Sequence, residues 1–361
     1  MLRHALTLSL TIAVATSALA QTPSPTATAA PSASPPTLQT LDAVDLRQAI
    51  PLIKESYFNP AALTEPELNR ALLGGLLSSL GRSVILLPPR DSSPPPPPAS
   101  FYREIMANHI AYLRLGDLTR EQLQEMDSTL RGLASKKIDA VILDLRDSAE
   151  TNDFGIAAEF ATRFIEKGRP LFALRGSGGK EIRTFPAEQE PIYHGLLILL
   201  IDEETVGATE TLAACLRAFD RAILVGQKTA GRPLNYVDRP LPSGHILRIA
   251  VAQAMLTNQP AQSSKNVLPD LPVTQSMAEK HQIFQQGLTK SMSAFVFETD
   301  RPHLNEAALL SGTNPEIDAA QAGNRARRGE APALHDPVLQ RAVDVVTSIG
   351  VYAKQPSSSP P

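Results

Sequence analysis

The sequence has no tryptophan and a single cysteine, Cys215, in 361 residues, so no internal disulfide can brace the fold. Cys215 sits in the apolar run 212–216 with no base beside it and reads as a small buried hydrophobe, not a thiol nucleophile. A marked excess of one sign of charge is also lacking. The formal net charge is −3, which offers no electrostatic footprint for nucleic acid or an anionic membrane. No group of His, Cys, Asp and Glu has metal-ligand spacing, so no cofactor is expected. The apolar or hydroxylated stretch 5–14 is too short to stay in a bilayer as an anchor.

What is present at the start reads as an export signal. Met1-Leu2-Arg3-His4 is basic, and Ala18-Leu19-Ala20 supplies a small-x-small cleavage signature before Gln21. Residues 1–20 are therefore expected to be removed, leaving a periplasmic or secreted chain with no integral membrane segment. No cysteine follows the cleavage point, so no lipid attachment is expected. Without disulfides, stability has to come from core burial, which 43% apolar residues in a chain of this length permit.

Composition then divides the chain. Residues 21–40 are a Pro/Ser/Thr linker that cannot bury a core. Residues 41–87 read as a helical lead-in, with Leu68, Leu72, Leu76 and Leu80 at steps of four and a break at Asn59-Pro60. Residues 88–100, with prolines from Pro94 to Pro98, read as a stiff spacer and not as an SH3-type ligand. Residues 101–275 alternate apolar strands (110–115, 140–145, 196–201, 222–225) with helices (119–135, 156–165, 208–219), the pattern of an α/β domain whose parallel sheet is buried on both faces. A strand at 171–174 turns into 182–185 as a hairpin, and Leu241-Pro242-Ser243-Gly244-His245 turns into a strand at 246–251. Residues 276–350 read as a C-terminal helical extension, its last helix started by Asp336-Pro337, and 351–361 as a disordered tail.

Local motifs sharpen this. Tyr57-Phe58-Asn59-Pro60, the strand 110–115, Leu143-Asp144-Leu145-Arg146, Val225-Gly226-Gln227-Lys228-Thr229, Leu241-Pro242-Ser243-Gly244 and Leu268-Pro269-Asp270 occur in this order. No one of them is specific; together, over residues 57–273, the chain resembles the tail-specific, or C-terminal-processing, serine peptidases. The resemblance implies an α/β fold, a ClpP/crotonase-like spiral of β-β-α units with a small N-terminal helical segment. It also implies a departure: residues 84–108 are too few for the PDZ domain usually inserted there.

The family's chemistry uses a serine nucleophile and a neutral lysine as its base. Its serine segment matches Thr205-Val206-Gly207-Ala208-Thr209-Glu210, placing Gly207 at the nucleophile position. Its lysine turn matches Ala230-Gly231-Arg232-Pro233, placing Arg232 at the base position, and a guanidinium does not give up its proton. The glycine pair of its oxyanion loop is replaced by Glu150 and Thr151, and losing one oxyanion donor alone costs about 3–4 kcal/mol. Substitute groups are Thr205, Thr209 and Lys228, but Thr205 is displaced by two residues and Thr209 is expected to cap its own helix. Asp144 and Arg146 are expected to form a structural ion pair. His109, His194 and His245 lack a serine to serve.

The resulting expectation is an exported, catalytically inactive member that binds peptides or proteins. Its cleft would lie between the strand at 196, the helix at 208 and the turn at 226, take an extended peptide by strand addition, and include Ala208, Glu210 and Arg232. Arg232 would pair with a C-terminal carboxylate, unless Glu210 takes it instead. The alternatives are an active serine-type peptidase with a non-standard nucleophile, and a structural assembly subunit.

Overall fold

The computed structural model describes residues 43–89, 100–133, 136–146, 148–257, 266–296 and 334–354. The expected signal peptide, the 21–40 linker, the polyproline run and residues 355–361 lie outside the described residues. The chain divides into two units, 1–74 and 75–361. In the first, α1 (Ala43–Ser56) leads through a 3-10 turn at Pro60–Ala62 into α2 (Glu65–Leu80). Lys54 at the end of α1 bonds Glu65 at the start of α2 at 2.6 Å.

The second unit is built on two sheets. The first contains β2 (Tyr102–Met106), β3 (Ile110–Arg114), β4 (Ala140–Asp144), β7 (Leu196–Ile201), β8 (Ile223–Gly226) and β11 (Leu271–Pro272), in the order β11-β8-β7-β4-β3-β2. All neighbours are parallel except β2, which hairpins onto β3. The parallel strands are linked by α3 (Arg120–Leu133), α4 (Phe154–Ala161) and α5 (Gly207–Ala218). Twice the chain leaves this sheet to lay an antiparallel pair into the second one. These pairs are β5 (Pro170–Arg175) with β6 (Glu181–Pro186), and β9 (Leu234–Pro240) with β10 (Ile246–Leu256). The result is the mixed α/β spiral expected from the sequence.

The period of the strands decides what covers each face. Ala111, Leu113, Val141, Leu143, Leu197 and Leu199 point into a core shared with α3, α4, α5 and the second sheet. Ile110, Tyr112, Ala140, Ile142, Ile198 and Leu200 point the other way, onto α6 (Met277–Gly287) and α7 (Pro337–Lys354). Residues read as an extension are thus the cover of the sheet's second face, without which that apolar face would meet water.

Sequence reading missed β1 (Val84–Leu87), inside the segment expected to be helical, along with β2, β9 and β11. Val84-Ile85-Leu86-Leu87 pairs antiparallel with residues 246–249 of β10. Four residues cannot show a period, and only the distant partner makes them a strand.

Candidate functional site

The turn from β7 into α5 carries the matched nucleophile position. Thr205 closes it: Asp202 N–H donates to Thr205 Oγ1 at 3.1 Å, Thr205 N–H to Asp202 O at 3.1 Å, and Thr205 Oγ1 to Leu145 O at 3.3 Å. Thr205 is fully buried, and its hydroxyl works as a brace. Gly207 then opens α5 with φ +58°, a conformation that L side chains adopt at a cost of about 1–2 kcal/mol. A Cβ built there would stand 3.2 Å from Thr151 O and 3.7 Å from Glu150 Cγ.

The amides at this helix start are also engaged. Gly207 N–H donates to Arg232 O at 3.1 Å and Ala208 N–H to Thr151 O at 3.4 Å. A helix N-terminus with open N–H groups can hold an anion; here two carbonyls occupy the first two. The loop at 150–151, where the resemblance implies an oxyanion-stabilising glycine, closes over the position instead.

Glu210 is one helical turn further along, 1% exposed. Its carboxylate accepts from Thr229 Oγ1, from Gly231 N–H at 2.7 Å and from Arg232 N–H at 2.7 Å. Burial pushes its pKa up, against the opposing pull of these donors and of the Arg232 charge. Glu210 therefore holds the 229–232 turn through its backbone, not through the guanidinium of Arg232. The Arg232 Nε is buried with no hydrogen-bond partner among the described residues.

Several expected roles are relocated. Thr209 does not cap α5: its hydroxyl is buried without a partner among the described residues, since the amide bonds that start the helix are taken by carbonyls. Ala208 points into the core, whereas Glu210, although almost wholly buried, lines a cleft that runs along α5. Lys228 is solvent-exposed. Strand addition beside β7 is ruled out because β4 and β8 flank it on both sides. Among the described residues the strand with one neighbour near Gly207 is β9, which begins two residues after Arg232. On its outer edge Tyr236 N–H donates to Asn152 Oδ1 at 3.2 Å.

Around that edge charges gather. Arg248 bonds Asp238 at 2.8 and 3.1 Å and stands 4.0 Å from Glu150. The Tyr236 hydroxyl donates to Arg82 O at 2.9 Å. Burial and then Glu150 raise its pKa, while Arg232, Arg248 and Arg82 act in the opposite direction. The cleft that Glu210 lines has a volume of about 1010 Å3 and runs along α5 past Ala214, Ala218, Leu256 and Val267. Neither Gly207 nor Arg232 lines it.

Sequence reading also missed a buried amine close to the turn. Lys280 Nζ on α6 sits 2.5 Å from Asp202 Oδ2 and bonds Glu204, which His281 reaches at 3.1 Å. Burial lowers its pKa, but the two carboxylates outweigh this and hold it above the ordinary lysine value. It stays charged and is no base. No signal in the sequence joins positions 78 residues apart. Asp144 and Arg146 do form the expected ion pair, at 2.6 Å. Among the described residues no group of three or more His, Cys, Asp or Glu could hold a metal ion, and no helix is long and apolar enough to cross a membrane.

Comparison with known proteins agrees with this layout. The family model "Peptidase family S41" matches residues 109–273. A carboxyl-terminal-processing protease of Picosynechococcus sp. is 27% identical over 169 residues, 46% of this chain and 39% of that protein. The carboxy-terminal processing protease CtpA of Bacillus subtilis is 23% identical over 237 residues, 64% of this chain and 47% of that one. The chain thus spans less than half the length of these curated relatives. The structure of the photosystem II D1 C-terminal processing protease is similar with a TM-score of 0.41 and 20% identity, covering 54% of this chain and 48% of that chain. The stretch that is similar to peptidase family S41, residues 109–273, is the part of the α/β core that carries Gly207 and Arg232.

Proposed function

We propose that this chain is an exported, non-catalytic member of the tail-specific peptidase family that binds extended peptides beside β9. The observation that carries the loss of catalysis is the start of α5. A glycine stands at the nucleophile position, its would-be Cβ 3.2 Å from Thr151 O, and Ala208 N–H is spent on that same carbonyl. Attack, proton transfer and oxyanion stabilisation each need a group that this arrangement does not supply.

Binding is supported by what the cleft keeps. β9 has one paired edge and one edge held by a side chain, Asn152, which a peptide backbone can replace bond for bond. Arg232 stands at the head of that edge with its Nε unpartnered among the described residues, and although its charge acts on the Glu210 carboxylate, its guanidinium is suited to a peptide carboxylate. Export is supported by the N-terminal basic, apolar and small-x-small sequence.

The test is fluorescence anisotropy with labelled extended peptides, carrying either a free or an amidated C-terminus. The proposal expects saturable binding, weaker for the amide and for Arg232→Ala. Equal affinity for all three pairings removes the carboxylate role, and no binding by any peptide removes the reading.

A further inference from the structure

The cleft along α5 has a backbone edge for one wall. Ala254, Met255 and Leu256 of β10 all line it. Three consecutive residues of a strand share a cavity through their edge, because neighbouring side chains point to opposite faces. The hydrogen bonds locate that edge. Thr257 N–H goes to Leu171 O of β5, whereas Ala254 N–H turns the other way, to Pro233 O at 2.8 Å. By the period of two, the N–H and C=O of Leu256 face the same side as those of Ala254. Pro233, opposite Ala254, has no N–H to return, and β9 begins only at Leu234, paired with Gln253. Beyond that pair no strand among the described residues covers this side of β10, while β5 covers the other.

We propose that this cleft takes an extended, uncharged apolar segment of another polypeptide, which adds to the end of β10 as a short strand in line with β9. The facing wall is α5, which presents only Ala214 and Ala218 at its middle and so leaves room for the side chains of an added strand. Val267 and Leu268, the latter 58% exposed, continue the apolar lining. A volume of about 1010 Å3 stands at the upper end of the range of ligand sites, about 300–1,000 Å3. The charges at the cleft set the polarity of its ligand. Arg217 pairs with Asp270 at 2.7 Å, and Glu210 is held by two amides. Arg221 donates to Phe164 O at 2.8 Å and Tyr193 O at 3.4 Å, and Asp220 is solvent-exposed. A charged ligand would have to displace one of these bonds to be matched, and an apolar one would not. Bonds to the Leu256 backbone supply affinity, and the apolar walls select the side chains. The site proposed beside β9 lies on the outer edge of that strand; this one lies past its first residue and does not rest on that reading.

The test titrates the full chain by calorimetry with an acetylated and amidated peptide of alternating valine and threonine, and follows amide hydrogen exchange at Leu256. Saturable binding that slows exchange at Leu256 is expected. Ala214→Phe and Ala218→Phe fill the cleft from its open side and should each weaken binding by about tenfold or more. A copy of the peptide N-methylated at every residue cannot donate to the edge and should not bind. Exchange at Leu256 that the peptide leaves unchanged overturns the proposal, as do two Phe variants that bind as well as wild type. So does slowing at Tyr236 alone, which would place the peptide beside β9 and leave that reading standing. Equal binding of the N-methylated copy, or uptake of oleate where no peptide binds, would assign the cleft to apolar bulk or a lipid and overturn the added strand.

Discussion

Arg146 and Asp336, 190 residues apart, meet in the core through bonds of 3.0 and 2.9 Å. Asp144 holds the same guanidinium at 2.9 and 2.6 Å, and Gln275 accepts from it at 2.9 Å. Asp336 also caps α7, accepting from Val338 N–H at 3.1 Å and Leu339 N–H at 3.0 Å. One carboxylate thus starts the helix and fastens it to the end of β4.

Removing it should be severe. Burial alone would raise the Asp336 pKa, but the Arg146 charge and the capping amides override this and hold it below the ordinary carboxylate value. Asp336→Ala leaves Arg146 short of a partner in the core and should cost about 3–5 kcal/mol in urea unfolding at pH 7. A depressed folded pKa gives stability that is present above the unfolded value, about 3.9, and is lost as pH falls through the folded one. The wild type should therefore lose stability below about pH 4 more steeply than Asp336→Asn. A variant as stable as wild type would show that the pair contributes nothing.

Glu210 has the opposite sign. Its raised pKa means its contribution is present below the unfolded value, about 4.3, and fades as pH rises through the folded one. Its bonds to the 229–232 turn still matter at neutral pH. Glu210→Ala leaves the Thr229 O–H without its acceptor, although Thr229 Oγ1 still accepts from Val267 N–H, orphans the amides of Gly231 and Arg232, and should cost about 2–4 kcal/mol. Urea unfolding reads this, and a loss under about 0.5 kcal/mol, typical of surface sites, would mean the turn holds itself.

Lys280 should behave as a structural ion. Lys280→Met leaves Asp202 buried without its countercharge and should destabilise by about 3–5 kcal/mol. Its folded pKa is raised, so its contribution persists below the unfolded lysine value and is lost only as alkaline pH passes the folded one. An unfolding midpoint in urea that is flat from neutral pH to about pH 10 in wild type, and lower in the variant throughout, is the expected record.

On the proposed reading, placing a serine and a lysine at the two matched positions should not by itself give activity. In Gly207→Ser with Arg232→Lys, the new Cβ meets Thr151 O at 3.2 Å in a φ of +58°, and Ala208 N–H remains engaged. The double variant is expected to leave casein intact. Turnover should require glycine at 150 and 151 as well, to free that amide. Cleavage by the double variant alone would show that the loop yields readily.

The alternating strands and helices of the first sheet were legible because a doubly buried parallel strand announces itself as a continuous apolar run, as 140–145 and 196–201 do. Asp336-Pro337 gave the start of α7 through local capping chemistry. The proposed placement of Gly207 and Arg232 at the nucleophile and base positions rests on flanking motifs in chain order. The strand β9 was not, since residues 234–240 mix Asn, Asp, Arg and Pro and become a strand only against β10. Neither was the edge of β9 that no strand among the described residues pairs and that Asn152 holds, nor Lys280, whose partners lie on another element. The engaged amide of Ala208 depends on a carbonyl, and backbone groups carry no sequence signal at all.

The most direct measurement is mass spectrometry of extended peptides held for long times with the purified wild-type chain. The account predicts intact peptides, bound and recovered unchanged. Hydrolysis that disappears in Thr205→Val, Thr209→Val or Lys228→Ala would contradict it, because a working nucleophile or base would then exist where none is expected.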